Sequence, residues 1–440
     1  MIDHFAIHWR QHRSCSVDVA EFEQALKDAI TARTENDPAR EMQCLRTAAQ
    51  LYEDDLLPGL YDDWISPLRD EFRKKVCAAL ERLATMLEEQ SEYAAAIPYA
   101  EPLVATEGYS AAEVGQTYER ALELSRQLDN RNIFAIFSGV WVFHTVRGDL
   151  EKARQTSLEF LKEAEREPTP GLMLTGNFLL GSNLFHLGEL EKSLAHLNAA
   201  MREHKGTLEP VLALFAGPDI EFFCRSYLCH IAWHRGDGNC GRDHVENAIA
   251  GARALRRPFS EAIALNYAAM LHAFEDETRA ALERGREAVE LCRRHGFTYY
   301  LAMANVLTGW AAAAQGEVEI GLAQLREGLD SLRRLGAELR LPYYFALLAE
   351  TLARTGLAGE ARASLSNGFA FASKNGEQWT LAELYRVQGN LLAAEEKMEA
   401  ASASFQKGLE AARQCGSLAF EKKLSILVAG TRENYFPERF

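Results

Sequence analysis

The sequence predicts an all-α protein, a solenoid of α-hairpins preceded by a smaller helical domain of related type. Three observations carry this reading. Glycine recurs at Gly296, Gly336, Gly376 and Gly416, an interval of 40 residues. Short breaks recur with nearly the same period at Gly148-Asp149, Gly188-Glu189, Gly236-Asp237, Glu275-Asp276, Gly316-Glu317, Gly356 and Glu395-Glu396, in steps of 40, 48, 40, 40, 40 and 40 residues. Small and large apolar residues keep fixed offsets from those breaks. A fixed period of roughly 20 to 50 residues marks a solenoid, whose units are hairpins that bury their apolar faces only against their neighbours.

The amino-terminal elements come first. A polar cap at Ser16-Val17-Asp18 precedes Val19, Phe22, Leu26 and Ala29, whose spacing puts them on one face of a helix. After the break Asn36-Asp37-Pro38 a second helix runs to Tyr52. A loop-bearing stretch follows, then a long helix with Phe72, Val76, Leu80, Leu83 and Leu87 on one side, and a last helix near Tyr93 to Val104. This domain is expected over residues 16–107, behind a short segment at 1–15.

Residues 108–430 are expected to form about seven hairpins in a right-handed superhelix, with a tail at 431–440. Five residues after each break a small residue recurs: Ala153, Ser193, Ala281, Gly321, Ala361, Ala401. Nine residues after it stand Leu197, Leu325, Leu365 and Phe405; seven before it stand Gly181, Ala269, Gly309, Ala349 and Gly389. Two helices cross closely only where one lacks bulk, so small residues mark the crossings and Leu or Phe fills the space beside them. The step of 48 residues implies an insertion around Lys205 to Asp219.

These offsets resemble the tetratricopeptide repeat, with a longer period that also falls in the range of HEAT or armadillo units. The stretch from Tyr52 to Phe72, with Leu56, Leu57, Pro58, Gly59, Trp64 and Arg69, resembles the bacterial transcriptional activation domain of regulators of the antibiotic-regulatory-protein type. Asp54 or Asp55 stands where that family often has glycine. The resemblance implies a winged-helix DNA reader ahead of the domain, for which about fifteen residues are too few, with His8-Trp9-Arg10 as a remnant of its last strand. It also implies, in the larger members, a nucleotide-hydrolysing module, yet no G-x-x-x-x-G-K-[ST] motif occurs. The repeats resemble those at the carboxy-terminal end of ATPase regulators and adenylate-cyclase fusions. The implied protein is a regulator of transcription or signalling reduced to its interaction surfaces.

Composition fits a folded helical protein: 48% of residues are hydrophobic, and no apolar run reaches the roughly 18 residues that would cross a bilayer. With no signal-peptide core, the chain is expected in the cytoplasm, and its eight scattered cysteines are expected to be reduced and mostly buried. A net charge of −15 argues against specific DNA binding. Arg253, Lys205, Arg293, Arg333 and Arg413 recur seventeen residues after a break, where a cation meets the negative end of a helix dipole.

Candidate chemistry is sparse. His4, His8 and His12, with Cys15, would share a helix face and could hold a transition metal, and Cys224, Cys229, His230, His234, Cys240 and His244 form a denser group. Evenly spaced histidines in a terminal segment arise by chance, Cys224 and Cys229 are not at ligand spacing, and buried cysteine is commonly a small hydrophobe. No G-x-S-x-G or H-E-x-x-H motif occurs, so no catalytic residue, metal or cofactor is expected and the chain reads as a non-enzyme. The first helices of stacked hairpins line a concave groove. On that pattern Phe223, His230, Trp233, Asn266, Trp310, Tyr343, Glu350, Glu383, Arg386 and Asn390 face inward and hold a protein or peptide partner through aromatic anchors and directional polar groups. The alternative is a sensor that takes a small effector in the same groove.

Overall fold

The computed structural model describes residues 18–52, 65–89, 133–166, 168–203 and 220–433. Among them are eighteen α-helices and no strand. The chain divides into two compact units, Met1–Thr106 and Glu107–Phe440.

In the first unit, α1 (Asp18–Thr34) buries Phe22, Ala25, Ala29 and Ala32, a spacing of three and four residues that makes one helical face. Asp37 caps α2 (Pro38–Leu51) by accepting from the Arg40 amide, and Pro38 opens the helix, where its missing N–H costs nothing. The long α3 (Ile65–Glu89) lays Val76, Leu80, Leu83 and Leu87 against Ala25, Ala29, Leu45 and Ala48. Glu41 is buried there in a two-pronged pair with Arg82, at 2.8 and 3.2 Å. Leu56, Leu57, Pro58, Gly59 and Trp64 lie outside the described residues, as do the expected helix near 93–104, residues 1–15 with His4, His8, His12 and Cys15, and the stretch 204–219.

The described residues of the second unit form a run of seven hairpins: α4 (Ile133–Val146) with α5 (Leu150–Ala164), α6 (Pro170–His186) with α7 (Leu190–Glu203), α8 (Ile220–His234) with α9 (Gly238–Ala254), α10 (Pro258–Phe274) with α11 (Thr278–His295), α12 (Thr298–Ala314) with α13 (Val318–Arg334), α14 (Leu341–Arg354) with α15 (Ala358–Asn375), and α16 (Leu381–Ala394) with α17 (Met398–Cys415). A final helix, α18 (Leu418–Glu433), stacks on α17.

The period has a conformational cause. At every hairpin turn one residue takes the left-handed region: Gly148, Gly188, Gly236, Asp276, Gly316, Gly356 and Glu396. The amide that follows reaches back five residues to close the helix end, as in Asp149 to His144 O at 2.8 Å and Glu317 to Ala312 O at 3.0 Å. Glycine is the residue that enters this region without penalty, and it holds five of these seven turns. The small residues have a packing cause. A Cβ built on Gly309 would stand 2.5 Å from Gly321 O and from Leu325 N, and one on Gly321 would stand 2.5 Å from Gly309 O, so α12 and α13 touch backbone to backbone. Two hairpins further on, Gly389 leaves room for the Phe405 ring. The phased arginines end their helices as expected, and Arg253 and Arg413 also pair with Glu261 and Glu421, each eight residues on, at 2.7 and 2.8 Å.

The superhelix closes on itself. Glu338 N donates to Val146 O at 2.9 Å, Gln378 N to His186 O at 3.1 Å, and His234 Nδ1 meets Ser417 Oγ at 2.8 Å. In each case the end of a first helix touches the segment leading into the first helix five hairpins later, so one circuit takes five hairpins and successive turns are in contact.

Gly309→Ala and Gly321→Ala should each destabilise the protein by about 1–3 kcal/mol through forced separation of α12 and α13, although alanine is the better helix former. The control is Gly359→Ala, where the new methyl meets nothing within 4 Å and should leave stability level or slightly raised. Urea midpoints of the three variants decide it; an equal gain for all three would mean that the helices do not cross this closely.

Candidate functional site

The first-helix positions expected to line an open groove are instead mostly interior. Trp310 and Tyr343 are each 2% exposed, and His230, Trp233, Asn266 and Glu383 are buried as well. Phe223, Glu350 and Arg386 are half-buried, and Asn390 alone is exposed. The physical reason is the closure of the superhelix: a turn wound at five hairpins per circuit brings facing first helices within side-chain reach, and their aromatic rings meet in the middle.

Trp379 stands at the centre of that filling. Its ring lies 5.2 Å from Phe185, 5.5 Å from Tyr343 and 5.8 Å from Phe274, while Trp233 packs on Phe274 at 4.8 Å and Phe420 at 5.0 Å. His230 stacks on Tyr267 at 4.8 Å and donates through Nε2 to the Tyr267 carbonyl at 3.0 Å. Asn266 donates within its own helix, to Ala262 O at 2.9 Å.

Four of the expected residues are brought together in a polar chain. Trp310 Nε1 donates to Glu350 Oε2 at 3.0 Å, Arg386 donates to Glu350 Oε1 at 2.9 Å, and the same guanidinium grips both oxygens of Glu383 at 2.7 Å. Burial alone would raise the Glu350 carboxyl, but Arg386 and Arg354 hold it below the usual carboxylate range. Both oxygens of Glu350 and of Glu383, and the Nε and Nη2 of Arg386, are used internally.

Sequence reasoning missed a second group. Arg340 and Glu377 sit in the connections that lead into α14 and α16, both buried. Those connections run from Gly336 and Gly376 through three residues more than the ones after Gly296 and Gly416, and α14 and α16 are correspondingly 14 residues long where α12 has 17. The constant period hid this unwinding, because a longer loop and a shorter helix leave the repeat length unchanged. Pro342, in the first turn of α14, was the available signal that this helix starts late.

Glu377 Oε2 accepts from the Arg340 amide at 3.1 Å and its Oε1 from Trp379 Nε1 at 2.7 Å, with His186 Nδ1 at 3.4 Å. Burial pushes the Glu377 carboxyl up to about 7. Burial drives the three neighbouring histidines the other way: His234 falls to about 3, and His186 and His230 fall well below the ordinary imidazole value with the Arg340 charge adding to the effect. Arg340 itself donates to Tyr267 Oη at 2.7 Å and lies over the Tyr267 ring at 4.6 Å. Beside it opens a cavity of about 60 Å³.

The cysteine and histidine group at 224–244 does not converge on a common point, and burial keeps Cys224 and Cys229 protonated. The metal-type side chains that do converge among the described residues are His272, Glu275 and Glu277, where His272 already bonds Glu277 at 2.8 Å and Arg242 takes Glu275.

Residues 17–122 match the family model of the bacterial transcriptional activator domain. The chain carries that domain at its amino-terminal side. A curated, uncharacterized protein of Rhizobium meliloti (strain 1021) is 24% identical over 327 residues, covering 73% of this chain and 31% of the relative, so the chain spans about a third of that relative's length. Among solved structures, a Rap protein complexed with competence and sporulation factor is similar at 10% identity, over 78% of this chain and 98% of that one, with a TM-score of 0.50. A tetratricopeptide repeat protein from Parabacteroides merdae ATCC 43184 is similar at 13% identity, over 94% and 99% of the two chains, with a TM-score of 0.29. The activator domain is followed by tetratricopeptide-like helical repeats, a fold shared with the Rap structure. No helix among the described residues is long and apolar enough to cross a membrane.

Trp310→Ala should cost about 3–5 kcal/mol, as much as Phe405→Ala, because both remove fully buried rings. Arg386→Leu should cost a similar amount by stranding two buried carboxylates. Thermal or urea unfolding measures both, and a Trp310→Ala protein as stable as the parent would restore the open groove. The protein should also weaken in acid. Unfolded histidines take up protons near pH 6.5 while the three buried ones do not, so their contribution is lost as pH falls below about 6.5. Glu377 acts oppositely between about 7 and its ordinary value of 4.5, holding a proton in the fold that the unfolded chain releases. Three groups outweigh one, so calorimetric midpoints should drop from pH 6.5 to pH 5; a level or rising midpoint would contradict the neutral, buried imidazoles.

Proposed function

We propose that this chain is a non-enzymatic scaffold that regulates transcription or signalling by holding a protein or peptide partner, with no specific DNA contact of its own. The observation that carries this reading is the pairing of a bacterial transcriptional activator domain with a helical solenoid, two kinds of module whose chemistry is contact rather than catalysis. The charge of −15 supports the DNA side of it, since phosphate contacts supply most non-specific affinity for nucleic acid. The free thiols at Cys44, Cys224, Cys229, Cys240, Cys292 and Cys415 support action in the reducing cytoplasm. Of the residues expected to hold a partner, Asn390 is exposed and Phe223 half-buried, and these two are the ones through which contact is made.

The test has two arms. At about 150 mM salt the full chain should give no sequence-dependent gel shift with duplex DNA in the sub-micromolar range, where non-specific binding is also weak. Crosslinking in the source cell should recover a protein in stoichiometric yield, and Asn390→Lys should reduce that yield while leaving the melting temperature unchanged. Tight sequence-dependent DNA binding by the chain alone, or the absence of any stoichiometric protein partner, would overturn the reading.

A further inference from the structure

Among the described residues, the interior of the superhelix contains one charge, on Arg340, that no carboxylate neutralises. Arg340 is 2% exposed, and its guanidinium, which has five N–H donors, is met by tyrosine hydroxyls, Tyr267 Oη at 2.7 Å and Tyr299 beside it, while its Nε has no partner. Buried charges are ordinarily paired, because removing an ion from water is costly and a buried donor left unmet adds to that cost. Here the surroundings are aromatic faces: Tyr267 at 4.6 Å and Tyr227 at 5.6 Å from the guanidinium carbon.

The same guanidinium lines the 60 Å³ cavity, together with Trp141, Phe223, Tyr227, Tyr299 and Thr145. No other charged side chain lines it. A second buried donor without a partner, Thr145 Oγ1, belongs to the same wall. The arginine is also held in place rather than free to leave. Its backbone is left-handed at φ 67°, an unfavourable state for a residue with a Cβ, and Glu377 from the neighbouring connection fixes it by accepting its amide proton.

We propose that this cavity is a binding site for a small organic carboxylate, with the carboxylate on Arg340 and Thr145 and the apolar part of the ligand against the aromatic wall. A single fixed positive charge matches a monoanion, and the planar fork of arginine suits two carboxylate oxygens. A phosphate dianion would bring a second negative charge with no second cation to meet it. The walls are supplied by α4, α8, α10, α12 and the connection into α14, which belong to two successive turns of the superhelix, so an occupied site ties those turns together. The site goes beyond the scaffold reading and stands whatever partner the scaffold holds; its test reads ligand binding directly, and failure here would leave that reading intact.

The full chain is titrated with benzoate, phenylacetate and acetate as probes, and with benzamide and inorganic phosphate as controls, by calorimetry and by tryptophan fluorescence, which Trp141 in the wall should report. At least one carboxylate should bind saturably and raise the melting temperature, while benzamide and phosphate should not. Arg340→Gln should abolish binding. Should that variant fail to fold, Thr145→Val decides the matter: the loss of one hydrogen bond to a charged group should weaken affinity by on the order of tenfold or more with the fold retained. No binding of any carboxylate at about 5 mM, equal binding of benzamide, or unchanged affinity in a folded Arg340→Gln or Thr145→Val protein would each overturn the proposal.

Discussion

The contact between successive turns of the superhelix governs the rest of this structure. Two connections, Ala337–Arg340 and Glu377–Thr380, reach across to the ends of α4 and α6 and form backbone hydrogen bonds with Val146 and His186. A stacked hairpin alone contacts only its neighbours, which leaves the inner face of a solenoid in water. Once the turns touch, that face becomes a core, and its residues obey core rules: the tryptophans and tyrosines pack on one another, and polar groups need internal partners.

Most of the polar groups meet that demand. Trp310, Glu350, Arg386 and Glu383 satisfy one another along α12, α14 and α16, and Glu377 collects donors from Arg340 and Trp379. Such networks specify a single arrangement, since removing one member strands the others. The histidines solve the problem differently, by staying neutral where burial forbids their charge. Arg340 can do neither, because arginine does not lose its proton and no carboxylate among the described residues reaches its guanidinium. That asymmetry is why the cavity beside it carries chemical meaning while the polar chain around Arg386 does not.

The sequence made the hairpins legible because two local requirements recur with them. A left-handed residue must end each first helix, and glycine advertises it at five of the seven turns; a crossing point must be small, and Gly309, Gly321 and Gly389 advertise that. The amino-terminal domain was legible through Phe22, Val76, Leu80 and Leu83, which do form its core. The inner face was misread, since periodicity records which helix face a residue occupies but not what lies opposite. Trp310 and Tyr343 do face inward; whether inward means solvent or protein depends on how many hairpins complete a circuit, a quantity set by small rotations summed over five units. Arg340 and Glu377 escaped notice for the same reason, as their partners lie far away in sequence.

The closed circuit is tested most directly by amide hydrogen exchange at Glu338 and Gln378. Each of these amides lies in a connection rather than a helix, and its acceptor, Val146 O or His186 O, belongs to the neighbouring turn. With the turns in contact, both should exchange as slowly as amides inside α14 and α16, since they open only when the circuit opens. Exchange at the rate of an exposed loop, with α14 and α16 still protected, would show an open superhelix with a solvent-filled groove and would contradict the account.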